Sequence, residues 1–413
     1  MRRRHFLTGV TACATAPWAA RAAGLSGAAD PSIVIGFIAT RTGAGAIASQ
    51  DAVDGFTLGL KQLGGRFSNQ EVRVVAVDDK GSADIAAKVV DRMVRTERLD
   101  MVVTAVSQPS MAAIVKPLAK SRLFVLSLEE VPAALSGADC LPNLFSLAPP
   151  FAGPHHLLGS FLVAEGVRKL VVLAPHTGLG EQAVAALRQT FSFDLTVLSP
   201  KLGAATYDRE LRRIGEIRPD AVYSLLTGGM GGAFVRAYAE AGGKDLAPLY
   251  TDSDALARPA LPALGDAALD VRAVVNWTAD QDIPGNKRFL GDFEVEFGRP
   301  PSEHAARGYD TVLLLDAAMK ATGGKTGDSE ALRAAFRRAE FASVRGAFHF
   351  NHNHQPILAY HLIQVERDQR GRLGHETVTT LAKEWRDPGT GACPMHWPEE
   401  YVPVVPKVGK RPS

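Results

Sequence analysis

Cysteine is scarce in this 413-residue chain: there are three, and none stands in a C-x-x-C or zinc-binding spacing, which speaks against a metal role. Long apolar runs are missing too. Beyond the N-terminus no stretch of 18 or more apolar residues occurs, so no membrane span is expected. There is no fixed-period repeat or low-complexity block, no G-x-S-x-G elbow, and no serine or cysteine with an adjacent base. Catalysis therefore has no positive support. Charge of one sign is also lacking, the formal net charge being only +2. What remains is ordinary globular composition, 46% hydrophobic and 22% charged, in a chain too long for one core. Two domains, or one bilobed unit, are expected.

The first 22 residues read as an export signal. Three arginines in "MRRRHFL" precede the mildly apolar "FLTGVTACATAPWAA", and Ala20-x-Ala22 offers the small-residue pattern of a cleavage site. Arg3-Arg4-His5-Phe6-Leu7 resembles a twin-arginine motif, and Val10-Thr11-Ala12-Cys13 a lipoprotein box whose preceding apolar segment is very short. A lipid anchor at Cys13 is the weaker expectation. Removing residues 1–22 discards Arg2, Arg3, Arg4 and Arg21 and no acid, taking the charge from +2 to −2. Nothing basic enough for nucleic acid remains. The two cysteines left, Cys140 and Cys393, pair outside the cytoplasm as a disulfide more often than they stay reactive.

Downstream, strand and helix patterns alternate. "SIVIGFIA", "VRVVAVDD", "DMVVTAV" and "LFVLSLEE" read as buried strands separated by helical segments. Ser49 is the candidate N-cap of the first helix, and Pro109 opens the third. That rhythm predicts a parallel, doubly wound sheet. Four prolines in "LPNLFSLAPPFAGP" end the first unit, and the rhythm restarts through "VRKLVVLAP", "FDLTVLSP", "DAVYSLL" and "PLYTDSD". After "VRAVVNW" come three helical segments, then "GAFHFNHNHQPILAYHLIQVERD", which reads as an antiparallel hairpin. From Asp387 a Pro/Gly-rich tail has no periodicity and is expected to lie on the surface or loose.

Gly43, Gly45 and Ala48 fit the G-x-G-x-x-A spacing of dinucleotide-binding turns. Yet Gly43 comes five residues after Ile38, and the acids ending the second strand, Asp78 and Asp79, stand thirty residues past Ala48 rather than about twenty. With an export signal in front, the dehydrogenase reading is set aside. What survives is a small-residue mouth before a helix N-terminus, and "GGMGGAF" from Gly228 repeats it in the second unit, pointing to a shared cleft. His349, His352 and His354 cluster in a turn without flanking acids or cysteines, so a solvated turn is expected there rather than a metal site. Asp78-Asp79 and Glu129-Glu130 are paired acids, but neighbours on a strand point to opposite faces, so neither is read as a dyad.

From Ile33 to Thr380 the chain resembles the type I periplasmic solute-binding proteins of ABC transporters, the leucine/isoleucine/valine-binding group. The resemblance rests on "IVIGF…TG…A…DGF", "VRVVAVDDKGSADIAAKVVDRMV", "DAVYSLLTGGMGGAFVRAYAEAGG" and "NKRFLGDFEVEFGRPPSEHAARGYDTVLLLDAAMKATGG". It implies an α/β fold of two Rossmann-like doubly wound lobes joined by three crossover strands. Lobe I would take residues 31–149 and 277–345, lobe II 150–276 and 346–385, with 386–413 as the tail.

Carried over position by position, the resemblance places ligand contacts at Ser107 or Gln108, at Glu129 (with Val131) after the fourth strand, and at Leu179, Thr227, Asp252 or Ser253, and His304. Arg41, Thr42 and Gly43 of the first glycine loop complete the candidate set, Arg41 or His304 being available to pair a carboxylate as in relatives that bind aromatic acids. The threonine that fixes an amino acid's carboxylate and both pocket tyrosines are replaced, so the scaffold is kept and the amino-acid pocket is not. The expectation is a monomeric, non-enzymatic periplasmic protein without cofactor or metal. It would capture an amino-acid-like, aromatic or carboxylate solute, or one with a cationic or hydroxylated end near Glu129 and a less polar body near Leu179, for an ABC permease. A receptor domain reporting to a signalling partner is the alternative.

Overall fold

The computed structural model describes residues 32–43 and 45–397; the segment expected to be an export signal, with Cys13, and residues 398–413 lie outside them. The first lobe is built by β1 (Ile33–Ala39), α1 (Ala46–Gln62), β2 (Arg66–Phe67), β3 (Gln70–Asp78), α2 (Ala83–Thr96), β4 (Met101–Ala105), α3 (Gln108–Ser121), β5 (Phe124–Ser127), α4 (Ala133–Ser136) and β6 (Leu144–Ser146). Their sheet runs β2-β3-β1-β4-β5-β6 and is parallel except for the small β2–β3 ladder. Every residue of β1 and β4 is buried, because helices cover both faces of a parallel sheet.

The chain then crosses over. The second lobe contains α5 (Ala152–Ala164), β7 (Lys169–Leu173), α6 (Gly178–Arg188), β8 (Asp194–Leu198), α7 (Asp208–Ile217), β9 (Ala221–Ser224), α8 (Gly228–Glu240), α9 (Gly243–Leu246), β10 (Leu249–Thr251), α10 (Leu261–Leu264) and β11 (Arg272–Val275). A second crossing leads back to α11 (Pro284–Phe297), α12 (Glu303–Ala321) and α13 (Ser329–Arg338), which pack on the first lobe. A third returns to β12 (His349–Phe350), β13 (Pro356–Arg367) and β14 (Leu373–Trp385). The second sheet runs β12-β13-β11-β10-β9-β7-β8, with β14 antiparallel on β13. The three crossings (147–151, 276–283 and 339–348) are irregular segments rather than strands. The fold is thus two α/β lobes, as the alternating pattern predicts.

Helix α12 is buried on nearly every side and lies against α1. The approach is close enough to need glycine: a Cβ on Gly55 would sit 1.9 Å from the Ala305 carbonyl oxygen, and one on Gly308 2.0 Å from that of Ala52. This contact fixes the first turn of α12 at the cleft.

Two local expectations are corrected, one strand is added to them and one is sharpened. Helix α1 is preceded by Gly45 in the left-handed region (φ 85°), and Ser49 lies inside it, donating to the Ala105 carbonyl at 2.8 Å instead of capping. The long β13–β14 hairpin was not anticipated, since β14 is half exposed and carries a weak pattern. The histidine turn is not solvated: His354 is fully buried and stacks on Phe145 at 3.9 Å, while Ser146 N–H donates to the His354 carbonyl. Burial, with Arg337 nearby, holds the His354 imidazole neutral, its pKa down at about 3. The start of the tail lies on the surface, the first of the two expected alternatives, and is tied down there. A 3-10 turn at Pro388–Ala392 packs beside α4, and Cys393 is joined to Cys140 with their Cα atoms 5.7 Å apart.

Candidate functional site

A cavity of about 370 Å³ lies between the lobes. The first lobe supplies Glu129 and Glu130 from just beyond β5, and Glu303, His304 and Arg307 from the first turn and a half of α12. The second lobe supplies Thr177 and Leu179 around the start of α6, Tyr223 and Leu225 around the end of β9, Thr227 before α8, Thr251 at the end of β10 and Asp252 to Asp254 after it. Phe151, Pro154 and His155 come from the first crossing and α5, and Asn276 from the second. Both sheets present their carboxyl edges here, where a doubly wound sheet leaves room for a ligand.

Charge dominates the cavity wall. His304 bridges the lobes, with Nδ1 2.8 Å from Glu129 Oε1 and Nε2 2.8 Å from Asp254 Oδ1. Burial disfavours an imidazolium, but the two flanking carboxylates more than offset it and hold the ring's pKa well above its usual value. Arg307 donates to the Leu128 carbonyl and to Glu129 Oε2, both at 3.2 Å, and stands 3.6 Å from Glu303. Glu303 also accepts from Ser253 Oγ at 2.6 Å, a second contact between lobes, and from Asn276 Nδ2 of the second crossing at 3.3 Å. His155, on the apolar side, sits 2.9 Å from the Tyr223 hydroxyl; burial, with His156 adding to it, keeps its pKa down at about 3, so it is neutral.

Two acids stand apart from this network. Glu130 meets no hydrogen-bonding or ion-pair partner among the described residues; desolvation, against the pull of Arg307 and with the push of Glu129, Asp254 and Glu303, takes its pKa up to about 7. Asp252 accepts only the Asp254 N–H at 3.0 Å, and burial with neighbouring acids raises it well above the carboxylate range.

Of the residues expected from sequence, Glu129, Leu179, Thr227, Asp252, Ser253 and His304 line this cavity, and Arg41, Thr42, Gly43, Ser107 and Gln108 do not. The first glycine loop is tied elsewhere: Asp78 accepts from Arg41 N–H and Thr42 Oγ1, both at 2.9 Å, and Asp79 from Thr40 Oγ1 at 2.7 Å. Ser107 caps α3 by accepting from Ser110 N–H, which leaves Gln108 in the helix's first turn. Only the second glycine corner therefore reaches the cavity. The expectation that Glu129 and Glu130 diverge is also corrected. Strand β5 ends at Ser127, and beyond it the alternation rule no longer applies, so both acids line one wall.

Sequence reasoning missed Glu130, Asp254, Asn276, Glu303 and Arg307. The available signal was three charged side chains, Glu303, His304 and Arg307, at the start of a helix otherwise buried on all sides. Asp254, Glu303 and His304 bring donor atoms within 4.8 Å of one another, as a metal site would. Here His304 Nε2 is already engaged by Asp254, and the arrangement is that of an ion pair.

The profile of the periplasmic binding proteins matches residues 32–371. The chain belongs to that family. A Leu/Ile/Val-binding protein homolog from Brucella abortus is 26% identical over 237 residues, 55% of this chain and 60% of that protein. The alignment thus leaves two-fifths of that relative uncovered. Among solved structures, the solute-binding protein of an ABC transporter from R. palustris, in complex with benzoate, superposes with a TM-score of 0.80 at 23% identity, covering 87% of this chain and 99% of that one. A leucine binding protein from Thermotoga maritima gives 0.73 at 17% identity, covering 83% and 97%. At these identities the likeness is one of fold. The family is one of solute-binding proteins rather than enzymes, and among the described residues no helix is long and apolar enough to cross a membrane.

Proposed function

We propose that this periplasmic binding protein family member works outside the cytoplasm, capturing a small organic solute by closure of its lobes and delivering it as a monomer to an ABC importer in the inner membrane. The carrying observation is the cavity whose two walls are held together by His304–Asp254 and Ser253–Glu303. These contacts exist only while the lobes are together, and they suit a clamp that opens about its three crossings. The export pattern of residues 1–22 supports the location. Neighbours that hold benzoate or bind leucine support a solute of that size, and 370 Å³ lies in the range of small-molecule pockets, about 300–1,000 Å³.

Micromolar or tighter binding is expected, about −8 kcal/mol or better. A thermal-shift screen of amines, amino acids, aromatic acids, amides and polyols, followed by small-angle X-ray scattering of the hits, tests the reading. A hit that raises the melting temperature and reduces the radius of gyration supports it. Chemical conversion of a hit, or the absence of any hit, overturns it.

A further inference from the structure

We infer that the captured solute is a small organic cation, an amine bearing an apolar body and no carboxylate, whose ammonium group is held between Glu130 of the first lobe and Asp252 of the second. This deepens the capture reading and rests on it.

The first argument is charge matching. Five carboxyl groups line the cavity (Glu129, Glu130, Asp252, Asp254 and Glu303) against two cationic side chains, His304 and Arg307. Both cations are already drawn to protein groups. Both ring nitrogens of His304 are engaged by carboxylates, and Arg307 is divided among the Leu128 carbonyl, Glu129 and Glu303, with its Nε alone left as a buried donor without a partner. Arg41, the remaining candidate for a carboxylate, does not reach the cavity. After these pairings Glu130 and Asp252 are left over, one on each side of the cleft.

The second argument is hydrogen-bonding sense. Asn276 is 2% exposed, lines the same cavity and gives its amide N–H to Glu303, so its Oδ1 is an acceptor, and that atom is without a partner. An unfilled acceptor at a buried site calls for a donor. With Glu130 and Asp252 it makes three acceptors against one unfilled donor, Arg307 Nε, on a cation that carboxylates already hold, the opposite of what a carboxylate needs. An ammonium supplies both the charge and the N–H groups.

The third argument concerns the rest of the ligand. Phe151, Leu225, Val274 and the ring of Tyr223 form an apolar wall in the same cavity, beside a histidine held neutral. That surface fits an alkyl or aryl body. Glu130 is raised because burial and like charges surround it; the attraction of a cation placed there offsets both, so binding should expel the proton Glu130 carries near neutral pH.

Calorimetry on the purified full-length protein decides the matter, with phenethylamine and agmatine as cations, benzoate and phenylacetate as anions, and phenylalanine and leucine as zwitterions. The expected result is that a cation binds at least tenfold more tightly than any anion or zwitterion. Glu130→Gln and Asp252→Asn should each weaken that binding at least tenfold. If a variant fails to fold, proton release by the unmodified protein, read from titrations in buffers of different ionisation enthalpy, replaces it. A preferred anion or zwitterion, amine binding unmoved by both variants, or absence of proton release overturns the inference while leaving solute capture standing. Failure of all three classes to bind overturns the inference and withdraws support from capture as well.

Discussion

Two clusters of charge sit within two turns of each other on α12, and they are built in opposite ways. Asp310 and Arg345 are both fully buried and matched one to one. Asp310 accepts from Ser343 Oγ at 2.6 Å, Arg345 Nε at 2.7 Å and Val344 N–H at 2.9 Å, while Arg345 donates to the Leu147 carbonyl at 2.7 Å. This cluster pins the first and third crossings to the first lobe. The cleft cluster around Glu129, Glu303, His304 and Arg307 spans both lobes instead, and leaves Glu130 and Asp252 unmatched. Charge that holds the fold is neutralised within the protein; charge that serves a guest is left open to it.

The comparison is broken most directly at its closed end. Asp310→Ala leaves the Arg345 guanidinium buried without its partner, and such a loss costs about 3–5 kcal/mol. Urea denaturation should show the midpoint falling sharply. An unchanged midpoint would mean that the pair does not hold the crossings.

At the open end the sign reverses. Glu130 has a folded pKa of about 7 against an ordinary value near 4.5. The folded state therefore holds its proton more tightly, and the free protein loses stability as pH rises from about 4.5 through 7. Charged and titratable groups that face it are Glu129, Arg307, Asp254, Glu303, Asp252, Tyr223 and Tyr360. Glu130→Gln carries no such charge. Without ligand it should be more stable than the parent at pH 8 by roughly 1–2 kcal/mol, with cavity water screening part of the effect, and equal to it at about pH 4. Melting curves at the two pH values measure this, and a destabilised variant at pH 8 would count Glu130 among the structural charges.

The smallest effect concerns the clasp. His304→Ala removes the imidazolium joining Glu129 to Asp254 and should favour the open form, weakening solute binding five- to tenfold, about 1 kcal/mol. In scattering, the variant's radius of gyration without ligand should exceed the parent's. Equal radii would assign His304 to the pocket wall alone.

The outline of the fold was legible because each buried parallel strand must be an apolar run bounded by turn residues, as Ile33–Ala39 and Met101–Ala105 are. The site was legible only in part. Glu129, Asp252 and His304 were reached through the family resemblance, and they do follow strand ends or a helix start. Glu130 was read through the alternation of a strand that had already ended at Ser127. Arg41 and Ser107 stand at the right kind of corner, but Asp78 and the first turn of α3 engage those loops instead. For the histidine turn, composition suggested solvent, whereas the Phe145 ring and the edge strand β6 cover it.

The order of apolar runs and turn residues by itself determined the two wound lobes, because local hydrogen bonding and burial act over a few residues at a time. Which acids are neutralised and which are left facing a guest was decided only by tertiary structure. Residues 129, 252, 276, 304 and 307 meet across the cleft only after the chain has crossed between lobes, and Coulomb energy depends on those distances rather than on sequence separation.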